Sequence, residues 1–259
     1  MEEIRSKDNA LVKELVKLGS SRKYRREEGR FLLEGARLCG DAVKNGVVPQ
    51  IGLLTEKAME RYPQAREILA CCRRGILISD GVAQKLSDTQ SPQGVFCVCE
   101  IPPQSLTLSP AGRYLAMCSL QDPGNVGTIL RTAEALGIDG IVATADCPDF
   151  YSPKVLRAAM GGVLRMPFTL VQDGLEAVDT LRAAGLRVYA AALSDTAVEI
   201  TRLSLGAGCA MAIGNEGNGL APQVVERCDA AAIIPMAGGA ESHNPPTAAA
   251  PCIWEMVRR

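Results

Sequence analysis

Several function classes are excluded by what this chain of 259 residues lacks. No apolar run approaches the ~20 residues that span a bilayer. The opening Met-Glu-Glu-Ile-Arg-Ser-Lys-Asp is charged rather than signal-like, so the cytoplasm is the expected location. No Gly-x-Gly-x-x-Gly phosphate cradle is present, which counts against NAD or ATP as ligand and sets a dehydrogenase aside. Only one histidine accompanies ten cysteines, and their spacing does not suit a metal. Cys71 and Cys72 are adjacent, Cys97 and Cys99 alternate along a strand, and the others are scattered among apolar neighbours. Reduced, buried thiols and no metal are therefore expected. Charge of one sign is also missing: the net charge is −1, which gives no bulk attraction for nucleic acid. No internal repeat or low-complexity tract appears.

What is present describes a soluble α/β protein. Apolar residues make up 47% and charged residues 22%, enough for one large domain or two small ones. A Pro-rich break from Ile101-Pro102-Pro103 to Pro110 divides the chain. Before it, helices are expected at about 9–18, 36–44, 64–72 and 81–86, with strands at 31–33, 51–54, 75–78 and 95–100. After it come strand 114–120, helix 126–136, strand 140–144 and a basic helix near 153–160. Helix 175–184 and strands 186–193, 209–213 and 232–235 precede a terminal helix. Such alternation indicates α/β units.

Three strand exits carry polar cargo. The first runs Asp122-Pro-Gly-Asn125-Val-Gly-Thr-Ile-Leu-Arg131-Thr-Ala-Glu-Ala-Leu-Gly137. Asn125 is a good helix N-cap, Ile129, Leu130, Ala133 and Leu136 recur at helical spacing, and Gly137 supplies the stop. Arg131 sits two turns inside, where packing alone has no use for it. The second exit is Ala210-Met-Ala-Ile213-Gly214-Asn215-Glu216-Gly217-Asn218-Gly219-Leu220, glycine-rich with one carboxylate. The third is Ile233-Ile234-Pro235-Met236 running to Glu241-Ser242-His243-Asn244. Ligands of α/β proteins bind at the carboxyl ends of strands.

In these motifs the chain resembles the SpoU (TrmH-like) RNA ribose 2′-O-methyltransferases of the SPOUT superfamily. The match runs over Asn125–Gly137, Ile213–Leu220 and Ile234 to about Glu255, and Ser152–Pro167 resembles the segment between the first two. The resemblance implies a parallel α/β domain with a trefoil knot over 104–259, preceded by a small α/β substrate-binding domain over 1–103. It implies S-adenosyl-L-methionine as cofactor, RNA (rRNA before tRNA) as partner, a homodimer, and no membrane. Cofactor contacts would come from Leu193, Ile213, Gly214, Ile234, Met236 and the position held by His243. The catalytic set would be Asn125, Arg131, Glu216, Ser242 and Asn244. An arginine stays protonated and is a poor base, so Arg131 is expected to grip the ribose–phosphate beside the target hydroxyl. Asn125 would fix the turn, Glu216 would orient Arg131 or touch RNA, and Ser242 and Asn244 would supply neutral hydrogen bonds; capping is the plainer reading of Asn244.

The third motif departs from the family. Its usual Glu-Ser-Leu-Asn-Val-Ser-Val-Ala here reads Glu241-Ser242-His243-Asn244-Pro245-Pro246-Thr247-Ala248, and Pro251 takes another aliphatic site. An interior proline costs a helix about 3 kcal/mol, so the terminal helix is expected to start late, kink or fray, and cofactor binding to be weak. His243 is expected to replace a packed leucine. An RNA-binding protein with an impaired cofactor pocket is the alternative. The cluster Arg22-Lys23-Tyr24-Arg25-Arg26 reads as a solvated helix end, which the resemblance turns toward RNA contact.

Overall fold

Small polar residues set the starts of most helices. Asn9, Ser21, Thr55, Ser79, Asp122, Ser152, Asp173 and Asn244 each accept a first-turn amide with the side chain. The computed structural model describes residues 2–103, 106–194, 196–236, 238 and 242–258. In chain order these form β1 (Glu2–Ile4), α1 (Ala10–Ser20), α2 (Arg22–Glu28), β2 (Arg30–Glu34), α3 (Ala36–Lys44), β3 (Ile51–Leu54), α4 (Glu56–Arg61) and α5 (Ala65–Cys71). Next come β4 (Arg74–Ile78), α6 (Asp80–Leu86), β5 (Val95–Glu100), β6 (Arg113–Met117), α7 (Pro123–Ala135), β7 (Gly140–Thr144) and α8 (Pro153–Ala159). The chain ends with β8 (Phe168–Val171), α9 (Gly174–Ala183), β9 (Arg187–Ala191), β10 (Val198–Glu199), β11 (Cys209–Ile213), α10 (Pro222–Arg227), β12 (Ala230–Ile233) and α11 (Pro245–Val257).

The leading unit is built on a five-stranded sheet of order β1-β4-β3-β5-β2, mixed because β5 runs antiparallel to both β3 and β2. Val12, Leu15 and Leu18 present one face of α1 to Leu32, Leu53, Ile76 and Phe96 of the sheet. This unit also takes residues 149–164, which lie in sequence between β7 and β8. Their anchor is polar: Arg25, 3% exposed, meets Asp149 at 2.6 Å and donates to the carbonyls of Leu18 and Gly19 at 2.5 and 3.1 Å. Beside it the rings of Phe31 and Tyr151 meet with centroids 4.7 Å apart, tilted by 42°, and Arg157 of α8 pairs with Asp88 through both carboxylate oxygens. The basic cluster is thus a helix of its own, and Arg25 is withdrawn from solvent to hold the unit together. The expectation of four cations offered to RNA is corrected to exclude it.

The trailing unit has a seven-stranded sheet of order β10-β12-β9-β11-β6-β7-β8 in which every pairing is parallel. Its inner strands β7 and β11 are buried at every residue, as a sheet covered on both faces requires. On one face Ala177, Val178 and Leu181 of α9 meet Tyr114, Val188 and Ala210. Helix α11 packs against α7 and turns Ala249, Cys252, Ile253 and Met256 inward.

Two expectations are corrected here. Helix α7 begins at Pro123 under Asp122, whose carboxylate accepts the Asn125 amide at 2.9 Å, so Asn125 lies in the first turn and is not the cap. The proline decides this, because its fixed φ and missing N–H suit the first helical position. Helix α11 does not start late: Asn244 caps it by accepting the Thr247 amide at 3.2 Å, and assignment is unbroken to Val257 through Pro251. Pro245 and Pro246 occupy first-turn positions whose amides have no intrahelical acceptor, so they forfeit nothing. Pro251 forfeits one bond, and the buried face of α11 outweighs it.

Seven of the ten cysteines are buried; Cys72 and Cys228 are half-buried and Cys71 is exposed. Among the described residues no cluster of His, Cys, Asp or Glu could hold a metal ion, and no helix is long and apolar enough to cross a membrane.

Candidate active site

The parallel sheet aims the ends of β6, β9, β11 and β12 the same way, so their exits meet. After β6, Ser119 adopts a left-handed φ of 54°, pinned by its amide donating to Thr144 Oγ1 at 2.8 Å. That turn delivers Gln121 and Asp122 to the start of α7. Beyond β11 the chain doubles back: Asn215 and Gly219 exchange backbone hydrogen bonds of 3.0 Å. Asn215 also donates to the Ser119 carbonyl at 2.8 Å and accepts the amides of Gly217 and Asn218. Gly214 starts this loop because nothing larger fits. A Cβ there would lie 2.3 Å from the Gly219 carbonyl carbon and 2.4 Å from the Leu220 nitrogen.

Glu216 ties the two exits together. One oxygen accepts the Gln121 amide at 2.9 Å; the other accepts the Asp122 amide at 3.1 Å and the Asn125 side-chain amide at 2.9 Å. Burial pushes its carboxyl up, but the hydrogen bonds from Asn125, Asp122 and Gln121 outweigh that and hold it below the usual carboxylate range. The expectation that Glu216 orients Arg131 is corrected, since its carboxylate is committed to Gln121, Asp122 and Asn125 at the start of α7. Arg131 itself is exposed and makes no hydrogen bond or ion pair with any described residue. Its guanidinium is therefore available. Cys118, at the exit of β6, is pushed by burial up to about 12, so it remains a thiol and is no nucleophile.

A cavity of about 760 Å³ opens between the exits of β9, β11 and β12 and the start of α11. Leu193, Ile213, Gly214, Ile234, Met236 and His243, the six expected cofactor contacts, all line it, as do Glu216 and Ser242. His243 is exposed on that rim, so the expectation of a residue packed in place of leucine is corrected. Asn125 and Arg131 are not on the cavity wall, and Asn244 spends its side chain on the α11 cap. Glu241 of the third motif lies outside the described residues.

The wall also tests which ligand fits. Among the described residues it carries three carboxylates, Glu216, Glu226 and Asp229, and no lysine or arginine. Asp229 is paired with Arg182 at 3.5 Å and accepts the Val188 amide, and Glu216 is tied to α7, so Glu226 is the carboxylate left to face a ligand; it opposes a nucleotide phosphate and suits a positively charged group. The apolar strand ends and the open backbone edges beside Gly214 and Ile234 suit a purine. S-adenosylmethionine has both features, so the residues present fit it. Glu226 and Asp229 are what the sequence reading missed; one lies in the last turn of α10, a six-residue helix with no glycine-rich signature, and the other just beyond it.

The loop geometry makes a direct demand on Gly214. Gly214→Ala should force the 215–219 hairpin away from β11, destabilising the trailing unit by about 1–3 kcal/mol as overpacking does and weakening any ligand in the cavity. Gly217→Ala, whose Cβ would approach only Asn215 Oδ1 at 3.5 Å, is the control. Thermal melts and ligand titrations of the pair decide the matter, and identical behaviour would remove the steric argument.

Residues 112–254 match the SpoU rRNA Methylase family, and residues 9–97 match the MRM3-like substrate binding domain. The chain is 33% identical over 258 residues to the 23S rRNA (guanosine(2553)-2′-O)-methyltransferase RlmP of Bacillus subtilis, covering 99% of both proteins. It is 30% identical to the 23S rRNA (uridine(2479)-2′-O)-methyltransferase of Streptomyces viridochromogenes, covering 97% of this chain and 90% of that one. Among solved structures, the AdoMet-bound rRNA methyltransferase from Sinorhizobium meliloti superposes with a TM-score of 0.87 at 28% identity, over 99% of this chain and 97% of the other. With the parallel sheet, the Glu216-tied exits and the cavity between them, these likenesses lead to one conclusion: the chain belongs to the SpoU rRNA methylase family.

Proposed function

We propose that the protein is an S-adenosylmethionine-dependent methyltransferase that modifies a ribose 2′-hydroxyl of RNA, with ribosomal RNA as the substrate class. The single observation carrying this is the carboxylate-bearing cavity at the strand exits, with no lysine or arginine among its described residues and all six residues expected at the cofactor on its wall. Bound there, the cofactor supplies an electrophilic methyl group. Glu226 favours the cationic cofactor over its neutral-sulfur product electrostatically, while Ile213, Ile234 and Leu193 exclude water from its base. Gly214 and Ile234 offer backbone edges for the adenine, and Ser242 and His243 close the rim.

Arg131, exposed and unpaired, grips the RNA phosphate and ribose with two parallel donors, so the target hydroxyl is aligned for in-line attack. Asn125 and Glu216 act together, fixing the helix that carries Arg131 to the loop that floors the cavity. Residues 1–103 select the RNA and 104–259 perform the transfer, as a homodimer working in the cytoplasm. The trefoil knot expected of the family belongs to the same reading.

Calorimetric titration with S-adenosylhomocysteine, followed by methyl transfer to ribosomal RNA fragments, tests this. Saturable binding and a product resistant to alkaline cleavage are expected, because the blocked hydroxyl can no longer attack its phosphate. RNA binding without any cofactor binding would instead favour a binding protein on this scaffold.

A further inference from the structure

Helix α7 carries just two charged side chains, Arg131 and Glu134. At a spacing of three residues they lie on neighbouring positions of one helix face, within reach of an ion pair. They do not pair. Glu134 is taken by Arg165, from the segment leading into β8: Nε meets one carboxylate oxygen at 2.7 Å and Nη2 the other at 3.3 Å. Both side chains are half-buried, at 29% and 28% exposure, so solvent competes with this fork less than it would at an open surface. No other acidic residue lies within one turn of Arg131 on α7.

We propose that Arg165 is a positioning residue for methyl transfer, acting by occupying Glu134 so that Arg131 stays unpaired and open to an RNA phosphate. The inference rests on the reading of Arg131 as the RNA grip. With Arg165 gone, the Glu134 carboxylate does two things. It offers Arg131 an intramolecular partner, and it places a negative charge one helical turn from the site where a phosphate must dock. Both oppose RNA; neither touches the cofactor cavity, whose wall includes none of these three residues.

The test is methyl transfer by the full chain at saturating cofactor, with RNA concentration varied. Arg165→Gln should raise KM for RNA about fivefold to tenfold, with S-adenosylhomocysteine affinity unchanged. Arg165→Gln combined with Glu134→Gln should return KM to within about twofold of wild type, because the competing carboxylate has been neutralised. Glu134→Gln alone breaks the same ion pair but also removes the competing carboxylate, so it should leave KM near wild type, whereas a merely structural pair would lose as much from E134Q as from R165Q. Arg165→Lys, a point charge in place of the fork, should give an intermediate loss and keeps the question open to measurement if R165Q unfolds. An unchanged KM in R165Q or R165K, or a double variant as impaired as R165Q, overturns the proposal. A wild-type chain that transfers no methyl group would instead refute the reading of the site on which it stands.

Discussion

Arg131→Ala should lower methyl transfer by roughly 10²–10⁴, the range of a positioned catalytic group, while leaving S-adenosylhomocysteine affinity within about twofold. The guanidinium is exposed, bonded to no described residue and absent from the cavity wall, so its removal takes nothing from the fold or the cofactor. Arg131→Lys should recover little, because an ammonium cannot reproduce a planar two-donor fork. Single-turnover rates with saturating RNA separate the grip from simple affinity. A collapse of cofactor binding in R131A would make Arg131 part of the scaffold instead.

Arg25→Met should destabilise the leading unit severely. It strands Asp149, whose side chain is only 15% exposed, and leaves the Leu18 and Gly19 carbonyls without their donor. Breaking a buried ion pair from one side costs about 3–5 kcal/mol. Arg26→Met, one residue along on the exposed side of α2, should stay within about 0.5 kcal/mol. Urea unfolding read at both positions makes the comparison. Pairing Arg25→Met with Asp149→Leu should recover much of the loss, since an apolar replacement no longer buries an uncompensated charge. If R25M and R26M melt alike, the pair is incidental.

Where apolar runs are bounded by turn residues, local pattern was sufficient: α3, β3, β5, β7 and β11 have the bounds that periodicity implies. Elements made by distant partners were not legible. Strand β1 is three residues with two exposed, and exists because Glu2–Ile4 pairs with Ile76–Ile78. Strand β8, half-exposed at the sheet edge, and the six-residue α10 carry too little periodicity to stand out. Asn125 and Asp122 are both good caps, and the proline between them decided the choice. At α11 the rule against interior proline gave way to burial of Ala249, Cys252, Ile253 and Met256. The residues of the cavity were readable as strand exits because a parallel sheet sends its exits one way. The ion pairs Arg25–Asp149 and Arg165–Glu134 were not, since nothing near any of these residues in the chain announces its partner.

The anchoring of residues 149–164 in the leading unit has a consequence for how the protein is made. Arg25 and Asp149 are separated by 124 positions, so at about 5–20 residues per second a ribosome delivers the second some 6–25 s after the first. Until then Arg25 waits without its carboxylate and Phe31 without the Tyr151 ring, while the strands β6 and β7 emerge between them. The first half of the nascent chain is therefore an incomplete folding unit that a stalled or truncated message would leave with a buried cation uncompensated, and its maturation is timed by translation of the second half.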